Sequence, residues 1–113
     1  MKIDMQASNV KMSLALRRFI RERLHLAVGP LSSKISGIQV HLSDTNGPRG
    51  GDDKRCRVLI GLPEMRDVLI EDTRDNIYSA VRRAAERARH AVLRRLGKQR
   101  RKDTTRLLAP SAA

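Results

Sequence analysis

Residues 54–96 read KRCRVLIGLPEMRDVLIEDTRDNIYSAVRRAAERARHAVLRRL, and the change of period inside this stretch decides the fold. In its first part Cys56, Val58, Ile60 and Leu62 alternate with other residues, the pattern of a strand with one buried face. Pro63-Glu64-Met65-Arg66 reads as a short turn, and Val68 and Ile70 resume the alternation over about 67–72. From Ile77 the period becomes helical: Ile77, Val81, Ala84, Ala85, Ala88, Val92 and Leu96 form one apolar stripe. Alanine, the best helix former, recurs along that stripe, and Asp75 or Thr73 is placed to cap its start. Two alternating strands followed by a helix with a single apolar side must cover one another.

Upstream, Ile38, Val40 and Leu42 alternate over about 37–43, giving a third strand and an antiparallel meander. The connector Asp44-Thr45-Asn46-Gly47-Pro48-Arg49-Gly50-Gly51-Asp52-Asp53 is too long for a tight hairpin and reads as a mobile loop. At the N-terminus Ile3, Met5 and Ala7 alternate with Asp4, Gln6 and Ser8, a half-buried strand ending at Asn9. Ser13 reads as the N-cap of a helix whose stripe is Leu16, Phe19, Ile20, Leu24, Ala27 and Val28, stopped by Gly29-Pro30. The predicted order is β-α-β-β-β-α, an α+β fold with a four-stranded sheet and two helices on one face. Residues 1–102 are expected to form one domain and 103–113 a disordered tail.

Charge gives the direction of function. Lys and Arg number 24 against 12 Asp and Glu, a formal net charge of +12 in 113 residues, which calls for a polyanionic partner. Most of the excess sits on the last helix, where Arg82, Arg83, Arg87, Arg89, Arg94, Arg95, Lys98, Arg100, Arg101 and Lys102 face the lone acid Glu86. Ordinary solvated helices mix signs, because like charges one turn apart repel. Arginine outnumbers lysine there, which suits bidentate phosphate contact. Arg17, Arg18, Arg21 and Arg23 extend the basic character to the first helix, so the two outer helix faces are expected to make one basic surface. The candidate binding residues are Arg17, Arg18, Arg21, Arg23, Arg82, Arg83, Arg87, Arg89, Arg94, Lys98 and Arg101.

Other chemistries find little support. No apolar run approaches the roughly 20 residues of a membrane span, and no leader-like apolar segment follows Met1. The cytoplasm is the expected compartment, with no membrane partner, small-molecule substrate or cofactor. Phe19 and Tyr78 are the aromatic residues, too few for base-stacking platforms, and Tyr78 reads as a core-edge residue. Cys56 alternates inward as a core residue, and His25, His41 and His90 share no ligand spacing, so no metal site is expected. Asp52-Asp53 and Glu71-Asp72 read as solvated turn residues rather than an acid/base pair. Gly47-Pro48-Arg49-Gly50-Gly51 lacks the Gly-Lys-Ser/Thr of a phosphate loop. No catalytic constellation emerges, so the chain reads as a binding protein and not an enzyme.

Several stretches resemble the short form of the ribosome hibernation-promoting factor family, which includes ribosome-associated inhibitor A. Ile3-Asp4-Met5-Gln6-Ala7-Ser8-Asn9-Val10 resembles its first strand and Asn-Val exit. Ser13-Leu14-Ala15-Leu16-Arg17-Arg18-Phe19-Ile20 resembles its Thr-x-Ala-Leu-Arg-x-(Tyr/Phe)-Val helix start. Asp75-Asn76-Ile77-Tyr78-Ser79-Ala80-Val81 resembles its Asp-Met-Tyr-Ala-Ala-Ile entry to the last helix, and Glu86-Arg87 stands where Asp-Lys is usual. The resemblance covers about residues 2–102. It implies a fold similar to a double-stranded RNA-binding domain with an extra first strand. It implies binding to the small ribosomal subunit and the 70S ribosome through ribosomal RNA, in the channel used by mRNA and tRNA, with inhibition of translation and protection of idle ribosomes. It also implies that Arg17, Arg23, Arg87 and Arg94 contact that RNA. His90 stands where a basic residue is common, Gly29-Pro30 replaces a stretch that often carries an aromatic, and the 46–53 loop is longer than in many members. The dimerisation domain of the long form is not expected, and the protein is expected to be monomeric off the ribosome. A general binder of duplex RNA or DNA, with no ribosomal role, would share the same composition.

Overall fold

Alternation and helical periodicity resolve into the expected β-α-β-β-β-α order: β1 Ile3–Ser8, α1 Leu14–Val28, β2 Gly37–Asp44, β3 Lys54–Gly61, β4 Val68–Arg74 and α2 Ile77–Leu108. The computed structural model describes residues 1–45 and 53–108, with side chains as far as Lys98. The mobility expected of the 46–52 connector, and the tail from 109 onward, fall outside the described residues.

The strands lie in the order β1-β2-β3-β4. β1 runs parallel to β2, while β2–β3 and β3–β4 are antiparallel, so the expected meander stands beside one parallel pair. A parallel pair needs a crossover, and α1 supplies it. In register, Met5, Val40, Val58 and Ile70 form one inward row, and Ile3, Ile38, Ile60 and Val68 the next. Leu16, Ile20, Leu24 and Val28 of α1 and Ala80, Val81, Ala84, Ala85, Ala88 and Val92 of α2 close over these rows as one core. Each fully buried Ile or Leu contributes about 1.5–3 kcal/mol. The helix row of alanines, Ala84 and Ala88 both wholly buried, sets α2 close against the sheet.

Caps and turns follow local chemistry. Ser13 Oγ accepts a hydrogen bond from Leu16 N at 3.1 Å, as its position predicted. At α2 the cap is Asn76, whose Oδ1 accepts from Tyr78 N at 2.8 Å and Ser79 N at 3.4 Å, and neither Asp75 nor Thr73 serves. β4 extends to Arg74, which leaves Thr73 in a strand and the cap role to the residue next to the helix. α1 stops at Val28, ahead of Gly29-Pro30 as expected, and Gly29–Lys34 form a separate 3-10 segment before β2. A Cβ on Gly61 would fall 2.5 Å from Ser36 Oγ, so a side chain there would require the Ser36 hydroxyl to move. α2 runs to Leu108, through Asp103-Thr104-Thr105, which include neither glycine nor proline. Its 32 residues make a helix about 48 Å long. Described burial on α2 ends at Val92 and the half-buried Leu96.

Two acidic residues depart from expectation. Asp53 is wholly buried and Asp72 is 8% exposed, so neither is a solvated turn residue. Asp72 occupies an inward row, in register with Cys56 and Leu42. Its position on the alternating face, and not its composition, decides its burial.

Candidate nucleic-acid interface

Helical phase distributes the basic side chains. Tyr78 meets Phe19 edge-on, ring centroids 4.9 Å apart, and this contact marks the facing flanks of the two helices. Tyr78 is thus the core-edge residue expected of it. At about 100° per residue, Arg82 and Arg89 share the α1-facing flank of α2. Arg83, Arg87, His90, Arg94 and Lys98 fall on the opposite flank, above the β4 edge, and all seven side chains are exposed. On α1, Arg23 follows Phe19 by one turn with its guanidinium 5.4 Å from the ring centroid, a cation–π contact that fixes its direction. Arg17 and Arg21 lie on the flank turned away from α2, and Arg18 on the outward ridge. The single basic surface expected from sequence is therefore a set of ridges on one side of the molecule. The Arg101 backbone belongs to α2, and its side chain lies outside the described residues.

Across the described parts of α1 and α2, 14–28 and 77–98, the acids are Glu22 and Glu86 against eleven Lys and Arg. Glu86 reaches Arg83 at 3.8 Å across an exposed i,i+3 pair, which is worth little. The outer face of the sheet is different. Asp4, Gln6, Gln39, His41, Arg57 and Leu59 line a shallow depression there. Arg57 pairs with Glu71 at 3.4 Å, and His41 Nε2 lies 3.1 Å from Ser8 Oγ. Charge on that face is balanced, with Arg55 and Arg57 against Asp4 and Glu71.

The buried carboxylates organise nearby cations. Asp72 Oδ1 accepts from Arg74 Nε at 2.8 Å, and Asp72 Oδ2 accepts from Arg87 Nη1 at 3.1 Å. Arg87 Nη1 also donates to the Glu71 carbonyl. Arg95, left out of the candidate set, donates to the Arg66 and Asp67 carbonyls at 2.6 and 3.4 Å, a role in holding α2 to the sheet end. Sequence reasoning missed Arg74 and Asp72. A signal existed, since both lie on the inward parity of β4 where an apolar residue would be expected. In the row of Arg74 and Asp44, Lys54 Nζ bridges Asp53 Oδ1 at 2.9 Å and Asp44 Oδ2 at 3.1 Å. Hydrogen bonds to Asp53 and Asp44 raise the Lys54 pKa. Burial, with the nearby Asp72 charge, pushes the Cys56 thiol up to about 12, so the sulfur is a core atom and not a nucleophile. Among the described residues no group of His, Cys, Asp or Glu could hold a metal ion, and no helix is long and apolar enough to cross a membrane.

The profile of the family described as Sigma 54 modulation protein / S30EA ribosomal protein matches residues 3–100. The chain belongs to this family. The S30EA domain thus spans both helices and the whole sheet, and it is the hibernation-promoting factor family that the sequence resembles. Membership makes the chain a ribosome-associated hibernation factor, a binding protein and not an enzyme. Solved structures agree in fold. A ribosomal subunit interface protein from Coxiella burnetii is 21% identical, with a TM-score of 0.71 over 85% of this chain and 99% of its own. The N-terminal domain of Thermus thermophilus Protein Y is 22% identical, with a TM-score of 0.68 over 83% of this chain and 98% of its own. The curated protein sequences yield no match.

Proposed function

We propose that this S30EA protein inhibits translation by lodging its helix side in the mRNA/tRNA channel of the small ribosomal subunit, on the subunit alone or in the 70S ribosome. The observation that carries the reading is the segregation of charge: eleven Lys and Arg against two acids on the described helices, and a balanced sheet face behind them. The solved relatives include a protein named for the ribosomal subunit interface, which supports the same placement. In this reading Arg17, Arg18, Arg21, Arg23, Arg82, Arg83, Arg87, Arg89, Arg94, Lys98 and Arg101 meet ribosomal RNA phosphates. Phosphate contact and shape complementarity provide the affinity, since Phe19 and Tyr78 pack edge-on against each other and leave little to read bases with. Occupying the channel excludes mRNA and tRNA by volume alone. Residues 1–102 act as one ribosome-binding unit, in the cytoplasm, and the protein is a monomer off the ribosome.

The test is co-sedimentation with ribosomes at physiological salt against excess duplex RNA and DNA. Retention near one copy per small subunit, lost on addition of mRNA and tRNA, is expected. Loss to the duplex competitors alone would leave a general nucleic-acid binder and overturn the reading. The folded triple variant Arg83→Glu, Arg87→Glu, Arg94→Glu is expected to lose ribosome binding.

A further inference from the structure

Asp72 is a negative charge set beneath a positive binding surface, and simple electrostatics would count it as a defect. Its geometry gives it a different role. The carboxylate is 7% exposed and each oxygen takes one guanidinium, Arg74 on Oδ1 and Arg87 on Oδ2. Arg87 spends only Nη1 on Asp72 and the Glu71 carbonyl. Its Nε and Nη2 have no partner among the described residues, and its side chain stays 47% exposed. One corner of the guanidinium is anchored to the sheet while the rest faces outward on the flank that also carries Arg83, His90, Arg94 and Lys98.

We infer that Asp72 is a positioning residue: it fixes the Arg87 guanidinium, one edge bound and one edge presented, for a phosphate oxygen of the RNA. This deepens the proposed function and rests on it. An unanchored arginine loses rotamer freedom when it binds, and the anchor removes part of that loss beforehand. The anchoring carboxylate is also largely shielded from the RNA by the two arginines it holds, so its repulsion of phosphate is small beside the ordering it provides.

The two accounts differ in sign. Asp72→Asn raises the net charge by one, so bulk electrostatics demands tighter binding to RNA. Positioning demands weaker binding, by about three- to tenfold, and a salt dependence shallower by about one phosphate contact. The probe is purified small ribosomal subunits, titrated with fluorescently labelled full-length protein at several salt concentrations, with each variant's fold checked by circular dichroism and thermal melting. Wild-type protein that fails to bind the subunits overturns the proposed function itself. Wild-type binding with an Asp72→Asn variant that binds equally or more tightly overturns the positioning role alone. The decisive readout is a double-mutant cycle with Arg87→Gln. Asp72→Asn is expected to lose its effect in that background, and an undiminished effect would show that Asp72 does not act through Arg87. Should Asp72→Asn not fold, Arg87→Lys decides: the charge is kept but one ammonium cannot both hold Asp72 and present a planar edge. Weakened binding by this variant supports the inference, and unchanged binding overturns it.

Discussion

Cys56 is expected to make the fold alkali-sensitive through a single atom. Its sulfur is wholly buried on the inward face of β3, and its pKa stands at about 12 against an ordinary value of 9.0. In the unfolded chain the thiol ionises near the ordinary value, while in the folded chain it keeps its proton. The sign is fixed by this: the folded pKa is the higher one, so the contribution to stability is full below pH 9 and is lost as pH rises toward 12. Each pH unit in that window costs roughly 1.4 kcal/mol, so at pH 10.5 the loss from this group alone is about 2 kcal/mol. That is a large share of the roughly 5–15 kcal/mol that holds a domain of this size together. The assay is urea denaturation followed by circular dichroism at pH 8 and pH 10.5, on wild type and on Cys56→Val. The valine variant sets its own baseline at pH 8, whatever its packing costs, and only the change with pH is compared. Wild type is expected to lose about 2 kcal/mol more than Cys56→Val between the two pH values, since the two proteins differ only at this site. Equal losses in the two proteins would refute the reasoning, because they would mean that the folded thiol ionises as freely as the unfolded one.

Two further outcomes test the supports of the fold. Asn76→Ala removes the N-cap of α2 and is expected to cost about 1 kcal/mol, a fall in Tm of roughly 4–8 °C by calorimetry, while Asp75→Ala should cost much less. An equal fall for the two would return the cap to Asp75. Lys54→Met leaves the buried Asp53 carboxylate without its cation and should lower Tm by more than Arg57→Ala does, with Asp53→Asn restoring part of the loss in the double variant. No recovery in that double variant would show that Lys54 stabilises by packing of its stem alone.

The fold was largely legible because its elements announce themselves by period. Alternation at Cys56, Val58 and Ile60 and the helical stripe from Ile77 to Leu96 agree with tertiary packing at each position, so local and global preferences coincide. What sequence could not show is which polar residue an alternating pattern drives inward. Asp72 and Asp53 look like loop and strand-end acids until register puts Asp72 beside Cys56. The Asn76 cap is obscured in the sequence by two neighbouring candidates, Thr73 and Asp75, and the end of β4 at Arg74 helps to choose among them. For the site, the basic residues were countable but their directions were not. Arg23 is turned toward Phe19 and Arg87 toward Asp72 by contacts between elements far apart in sequence. Arg95 looked equivalent to its neighbours and is instead tied to the Arg66 and Asp67 carbonyls.

The division between a cationic helix side and a balanced sheet side has a consequence for how the molecule arrives at a polyanion. Such a body has its positive charge displaced from the sheet toward the helices. Approaching a phosphate-lined wall, it feels a torque as well as an attraction, and it turns helix side first before any surface touches. Wrong-way encounters are thus corrected in solution instead of being rejected after collision. The torque acts only within about a Debye length, roughly 8 Å at physiological salt. Rising salt therefore removes the orienting step along with the pull, and the association rate falls on both counts.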